Sequence, residues 1–369
     1  MSKPTKRQVR EWYQHLRDKD AVAKELNIPR AEAREILKNE ILKPQAVDVS
    51  LLHKEIDALR RDLKKAEQQN LETEVVRREI FKIAGANPAI PEIFNKPSRG
   101  AGSLPGVPTA HLSDLHWGEV VNPKEVNGVN QFNMDVAWKR IERFVDGLLE
   151  LCFDHMVNPQ YPGLVLALGG DNVTGRIHAE LAATNDRTDP EAINDCIAAI
   201  RWVITSLLEH FDHILVPTAV GNHSRSYRFS PYKTTNVSNW DWLIYCQVAS
   251  YFEDDPRVTF LIPESIDTHW KVYGHRYMLT HGDMIGVRGG DGIIGSLGPI
   301  KRGEIKILKQ MSQINKGFDT LVMAHWHQLM SIPGIRVNGT LKGFDEFAAK
   351  ALRTTYQRPM QDLWFTHPD

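Results

Sequence analysis

Five short polar clusters carry the residue types that bind metal ions or move protons. They are Asp114-Leu115-His116, Gly169-Gly170-Asp171-Asn172, Gly221-Asn222-His223, His281-Gly282-Asp283 and His325-Trp326-His327. In the first, a carboxylate and an imidazole stand two residues apart. If the chain stays extended through Leu115, both side chains leave the backbone on the same side, so one ion could take both. A single D-x-H triplet carries little weight. An aspartate at a turn is often a local cap, and a lone histidine is more often a hydrogen-bonded core residue. Five clusters in one chain carry far more, because each follows a short apolar run. Open α/β sheets gather their ligands at the ends of strands. Glycines flank three of the clusters and allow the tight turns that aim side chains into one cleft.

The elements that must position these clusters can be read from the pattern. Apolar runs predict strands over 107–113, 164–168, 214–220, 258–262, 268–273, 276–280, 320–324 and 335–337. Helical periodicity predicts helices over 134–156, 190–210, 239–252 and 301–315, with Pro190 suited to a first turn. Strands alternating with helices, then a hairpin, indicate an α/β fold with a mixed sheet or a pair of sheets and helices outside. This catalytic domain is expected over 107–369, after a Pro/Gly-rich linker over 85–106.

Two further units precede it. Residues 1–47 resemble a helix-turn-helix, with Asn27-Ile28-Pro29 breaking two short apolar-faced helices. Arg30, Arg34 and Lys38 on its second helix are candidates for nucleic-acid contact; a plain helical hairpin has the same pattern. Over 48–84, Leu52, Ile56, Leu59, Leu63 and Ala66 form a heptad-like seam with Asn70 at the next position. That pattern predicts a coiled-coil homodimer, or a single long helix packed on its own domain.

Composition bounds the function. A chain of 369 residues exceeds one ordinary domain, and 42% hydrophobic with 25% charged residues is globular. The net charge of -1 provides no global basic field, so any nucleic-acid surface must be local. No apolar run approaches the ~18–20 residues needed to span a bilayer, and no secretory signal opens the chain. Cys152, Cys196 and Cys246 stand apart in apolar surroundings and read as buried thiols, which makes a reducing cytoplasm the default.

Taken together, D-x-H, G-D, G-N-H, H-G and H-x-H resemble the calcineurin-like metallophosphoesterase superfamily over roughly residues 108–339. The resemblance implies a four-layer sandwich of two mixed sheets flanked by helices, with two metal ions between the sheets. It implies that Asp114, His116 and His327 hold one ion, that Asn222, His281 and His325 hold the other, and that Asp171 bridges both. His223 would be the catalytic group and not a ligand. Ala324 replaces the usual glycine before His325, and Ser224 stands where relatives often carry an acid, which leaves open what orients His223. The ligand types suit the chemistry: two ions ~3.5–4 Å apart activate a water and clamp phosphate oxygens. A carboxylate must lie between two cations. Mixed imidazole and oxygen ligands favour Mn, Fe or Zn over Mg, with Mn the first expectation by resemblance.

Arg176 and His178 after Asp171, and Arg225 and Arg228 after His223, are candidate substrate contacts or plain loop charges. The glycine-rich segment 283–298 reads as a substrate loop. Three functions compete. One is a nuclease acting on DNA, similar to repair-type exonucleases, above all those of bacteriophages, and so placed in a bacterial cytoplasm. Another is a phosphatase or phosphodiesterase of small nucleotides or phosphoproteins, although GDNVTGR lacks the further acid and arginine of a G-D-x-x-D-R-G signature. The third is a nucleic-acid-binding regulator with a vestigial site. A helix-turn-helix favours the nuclease.

Overall fold

The computed structural model describes residues 29, 88–94, 106–226, 233–285 and 297–368. The chain divides into two compact units, Met1–Thr73 and Glu74–Asp369. The expected helix-turn-helix with Arg30, Arg34 and Lys38, the expected coiled coil, Arg228 and most of the glycine-rich segment lie outside the described residues.

Two mixed five-stranded sheets organise the second unit. The first contains β1 (Val107–Leu112), β2 (Leu164–Leu168), β3 (Ile214–Pro217), β4 (Val258–Leu261) and β10 (Leu363–Thr366). Strands β1 to β4 run parallel to their neighbours, and β10 pairs antiparallel with β1. The second contains β5 (Thr268–Val272), β6 (His275–Thr280), β7 (Thr320–Met323), β8 (Met330–Ile332) and β9 (Ile335–Val337), in the order β5-β6-β7-β9-β8. Here β6, β7 and β9 run parallel, with β5 and β8 antiparallel on the edges.

Strand β2 shows why the sheets pack as they do. It is fully buried, so its apolar run is continuous. Leu164, Leu166 and Leu168 face one core, which contains α1 (Met134–Leu149), α3 (Asp189–Leu207) and α4 (Trp240–Tyr251). Val165 and Ala167, on the opposite face, join Trp270, Tyr277, Leu279 and Val322 of the other sheet. The far side of that sheet, with Met278, Leu321 and Met323, packs on α5 (Leu297–Gln313) through Ile300, Ile307, Leu308 and Met311. Layers of helix, sheet, sheet and helix are compatible with a sandwich.

Helix starts follow their capping residues. The Asn133 side chain accepts from the Val136 N–H at the head of α1, and Thr188 with Glu191 forms a capping box on α3. The helix expected to reach 156 stops at Leu149 and relaxes into a wider turn over Glu150–Asp154. Sequence reading missed α2 (Ala179–Thr184), β8 and β10, all too short to show a period. The expected linker is not wholly a linker. A 3-10 turn over Glu92–Phe94 buries Phe94 completely between the sheets, and the Tyr273 N–H donates to the Phe94 carbonyl at 2.8 Å. All three cysteines are buried thiols. Among the described residues no helix is long and apolar enough to cross a membrane.

Candidate metal centre

Each of the five clusters follows a strand: β1, β2 and β3 in one sheet, β6 and β7 in the other. The local geometry differs from the extended backbone that the D-x-H spacing suggested. Strand β1 ends at Leu112, and Asp114 and His116 both adopt left-handed conformations, with φ of 50° and 49°. His325 and His327 repeat the device at 69° and 53°, and Asp171 joins them at 53°. Left-handed backbone costs about 1–2 kcal/mol per non-glycine residue. It persists where the surroundings over-determine it, as functional sites often do. Here the Asp114, His116 and Trp117 N–H groups donate to the carbonyls of Gly170, Asp171 and Asn172 at 2.9, 3.0 and 2.9 Å. The two loops are thereby zipped together beyond the end of the β1–β2 pairing. Glycine is required at 221, where a Cβ would fall on the Asp171 carboxylate.

Side chains from the two sheets converge. The ligand atoms of Asp114, His116 and His327 lie within 4.8 Å of one another, as do those of Asp171, His281 and His325. His327 Nε2 is 3.2 Å from both Asp114 Oδ1 and His116 Nε2. His281 Nε2 is 3.1 Å from Asp171 Oδ2 and 3.2 Å from Asn222 Oδ1. A third set, His116, Asp171 and His223, lies between them within the same limit, so His223 stands close enough to be a ligand, a role the resemblance did not give it.

Neighbouring groups orient these side chains. His281 Nδ1 meets the Gly169 carbonyl at 2.8 Å, which leaves Nε2 as the nitrogen that could face an ion. His223 Nδ1 faces the Thr174 carbonyl at 3.2 Å. A backbone carbonyl therefore orients His223, where sequence left the group open. Ser224 instead ties its own loop to Val173, accepting from its N–H at 3.3 Å and donating to its carbonyl at 3.2 Å. Asp241, near the start of α4, is fully buried and accepts from the backbone N–H groups of Asp171, Asn172 and Gly221 at 2.9, 3.0 and 2.8 Å. It also accepts from Asn172 Nδ2 at 2.7 Å.

The electrostatics separate the imidazoles. Burial holds His325 at about 4 and His223 at about 3, and burial with the Lys342 ammonium lowers His116. Burial also disfavours the His281 cation, but the carboxylates of Asp171 and Asp114 outweigh it and raise His281 well above the ordinary range. Asp114 falls to about 2 and Asp171 lies well below the usual carboxylate range, because facing histidines overcome the burial that would raise them.

The residues fit divalent ions. Ligand atoms about 2.1 Å from one ion lie roughly 3.0–3.4 Å apart in octahedral or tetrahedral shells. Four pairs, His327 Nε2 with Asp114 Oδ1 and His116 Nε2, and His281 Nε2 with Asp171 Oδ2 and Asn222 Oδ1, lie 3.1–3.2 Å apart, within that range. Asp171 Oδ2 is buried and faces His281 Nε2 at 3.1 Å without a well-aligned hydrogen bond, a pairing that a cation between the two could replace.

The eight residues implied by resemblance are thus gathered into one cluster. The second tier is scattered. Arg176 is exposed and paired with Asp189 at 2.9 Å, facing an acid rather than open substrate space. His178 is exposed, its ring centroid 5.8 Å from His223. Arg225 lines a small cleft with Asn222, His281 and Asp283. Sequence reading missed Asp241, Thr174, Glu119 and Lys342, which brace the centre from behind. Only Glu119 carried a signal, three residues after His116. No sequence-family model matches the chain, and the search of curated proteins finds no match.

Proposed function

We propose that the protein is a two-metal phosphoester hydrolase of the calcineurin-like metallophosphoesterase kind, built as a four-layer sandwich, and that it is a nuclease acting on DNA. The observation that carries the reading is the pair of Asp/His sets, drawn from both sheets and linked by a middle set of His116, Asp171 and His223, with the buried Asp171 Oδ2 facing His281 Nε2 at 3.1 Å. Two divalent ions, manganese first and iron, zinc or magnesium as alternatives, would supply an activated water and neutralise phosphate oxygens.

The chain's own residues divide the remaining work. Asp114, His116 and His327 would hold one ion, Asn222, His281 and His325 the other, and Asp171 both. His223, with Nδ1 turned to the Thr174 carbonyl, keeps Nε2 for the scissile phosphate. Burial keeps that ring neutral in the metal-free site, and an anionic phosphodiester beside it is the charge that would favour its protonation. Arg225 stands at the cleft where a flanking phosphate would be gripped. The N-terminal unit would supply affinity for long nucleic acid through Arg30, Arg34 and Lys38, presented twice if the chain dimerises through its heptads. A bacterial cytoplasm is the compartment this reading implies.

The test compares the full chain with one beginning at Glu74, the start of the second compact unit. Both are given manganese with a chromogenic phosphodiester and with labelled single- and double-stranded DNA and RNA. Equal turnover of the small diester is expected, with a higher KM and shallower salt dependence for the shorter chain on DNA. Asp171→Asn should abolish hydrolysis of both substrate types. Turnover of the small diester with no cleavage of any nucleic acid would replace the nuclease with a small-molecule phosphodiesterase.

A further inference from the structure

Behind the metal centre lies an ion pair that the proposed chemistry does not use. Glu119 and Lys342 are both 3% exposed. Lys342 Nζ donates to Glu119 Oε1 at 2.8 Å and lies 2.5 Å from Asp345 Oδ2. The other oxygen, Glu119 Oε2, accepts from the Thr174 hydroxyl at 3.0 Å and lies 3.2 Å from His116 Nδ1. No other group bonds to that buried ring nitrogen.

A buried ion pair carries a large desolvation penalty, so it is weak evidence for stability as its purpose. This one is also held firmly. Arg140 donates to the carbonyls of Leu341 and Lys342 at 2.8 and 2.6 Å, and Asn130 donates to that of Lys342 at 2.9 Å. Two residues upstream, the Thr340 hydroxyl donates to the Asp114 carbonyl at 3.0 Å. One strap, 340–345, therefore holds the Asp114 backbone directly and the His116 ring through Glu119.

We propose that Glu119, anchored by Lys342, is a positioning residue that fixes His116 as the Nδ1–H tautomer and leaves Nε2 bare for the ion shared with Asp114 and His327. This rests on the two-metal reading. An ionised carboxylate can only accept, so the ring nitrogen facing it must carry the proton. Partners of this kind fix the tautomer and orientation of ligating histidines. The same network reaches His223, because the carbonyl of Thr174 receives His223 Nδ1 while its hydroxyl bonds Glu119. A glutamine at 119 keeps the shape but can donate, and so permits the other tautomer.

The experiment uses the full chain as wild type, Glu119→Gln and the double variant Glu119→Gln/Lys342→Met, which removes both charges together. Free manganese is counted by electron paramagnetic resonance during titration. Histidine tautomers are read by 15N NMR of the metal-free protein, with His116 assigned from His116→Asn. The wild type should bind two ions and show His116 solely as Nδ1–H. Both variants should bind one ion about 10–100-fold more weakly and the other within about twofold, with mixed tautomers at His116. If Glu119→Gln does not fold, the double variant decides. A wild-type His116 protonated on Nε2 overturns the proposal without any variant. Variants that bind both ions like the wild type overturn it too, and leave the pair as packing. A wild type that binds no manganese sinks the two-metal reading and this proposal together.

Discussion

Replacing Asp241 by asparagine tests whether the centre is held from behind by a single carboxylate. Asp241 Oδ2 accepts from the N–H groups of Asp171 and Gly221, and Oδ1 accepts from the N–H and the amide of Asn172. Whichever way an asparagine amide is turned, its NH2 faces two donors. Two buried donors lose their partner, at about 1–3 kcal/mol each, or roughly 2–6 kcal/mol together. Part of this is offset. Burial and the neighbouring Asp171 charge both push the Asp241 carboxyl upward, and a neutral side chain removes that conflict. A net loss of about 2–4 kcal/mol is therefore expected in metal-free urea unfolding. The donors in question belong to the loops that carry Asp171 and Asn222. Manganese affinity should consequently fall at least tenfold, worth about 1.4 kcal/mol, and the deficit should be larger in manganese-loaded than in metal-free protein. A loss below about 1 kcal/mol with unchanged manganese affinity would refute the brace.

The remaining predictions concern protons and packing. A ligating histidine must be neutral, and His281 is the imidazole that the metal-free site raises while His325, His223 and His116 are lowered. Manganese binding at pH 7 should therefore release about one proton, traced to His281 by its loss in His281→Gln. Calorimetry in buffers of different ionisation enthalpy measures this, and its absence would put the site's proton elsewhere. Phe94→Ala should destabilise the protein by about 3–5 kcal/mol in urea, because the ring is fully buried between the sheets. A cost under about 1 kcal/mol would return residues 88–94 to the role of a plain linker.

What the sequence determined by itself was local. Apolar runs such as Leu164–Leu168 declare their strands, because burial on both faces needs a continuous run whatever lies around it. The candidate ligands were legible for a related reason: Asp114, Asp171, Asn222, His281 and His325 each follow such a run within a few residues. The end of one element and the start of a site are neighbours in the chain. Tertiary structure alone decided three things. It set the left-handed backbone at Asp114 and His116, where the D-x-H spacing suggested continued extension, and at His325 and His327; at Asp114 and His116 the strain holds because the loop after β2 supplies the hydrogen bonds. It brought Phe94 out of a Pro/Gly-rich stretch and into the inter-sheet core, which no local period announces. It also paired Glu119 with Lys342 across 223 residues and set Asp241 beneath the loops of Asp171 and Gly221. A buried lysine or aspartate reads in sequence like a surface one. What separates them is the partner that folding delivers, and a charge survives burial only where that partner arrives.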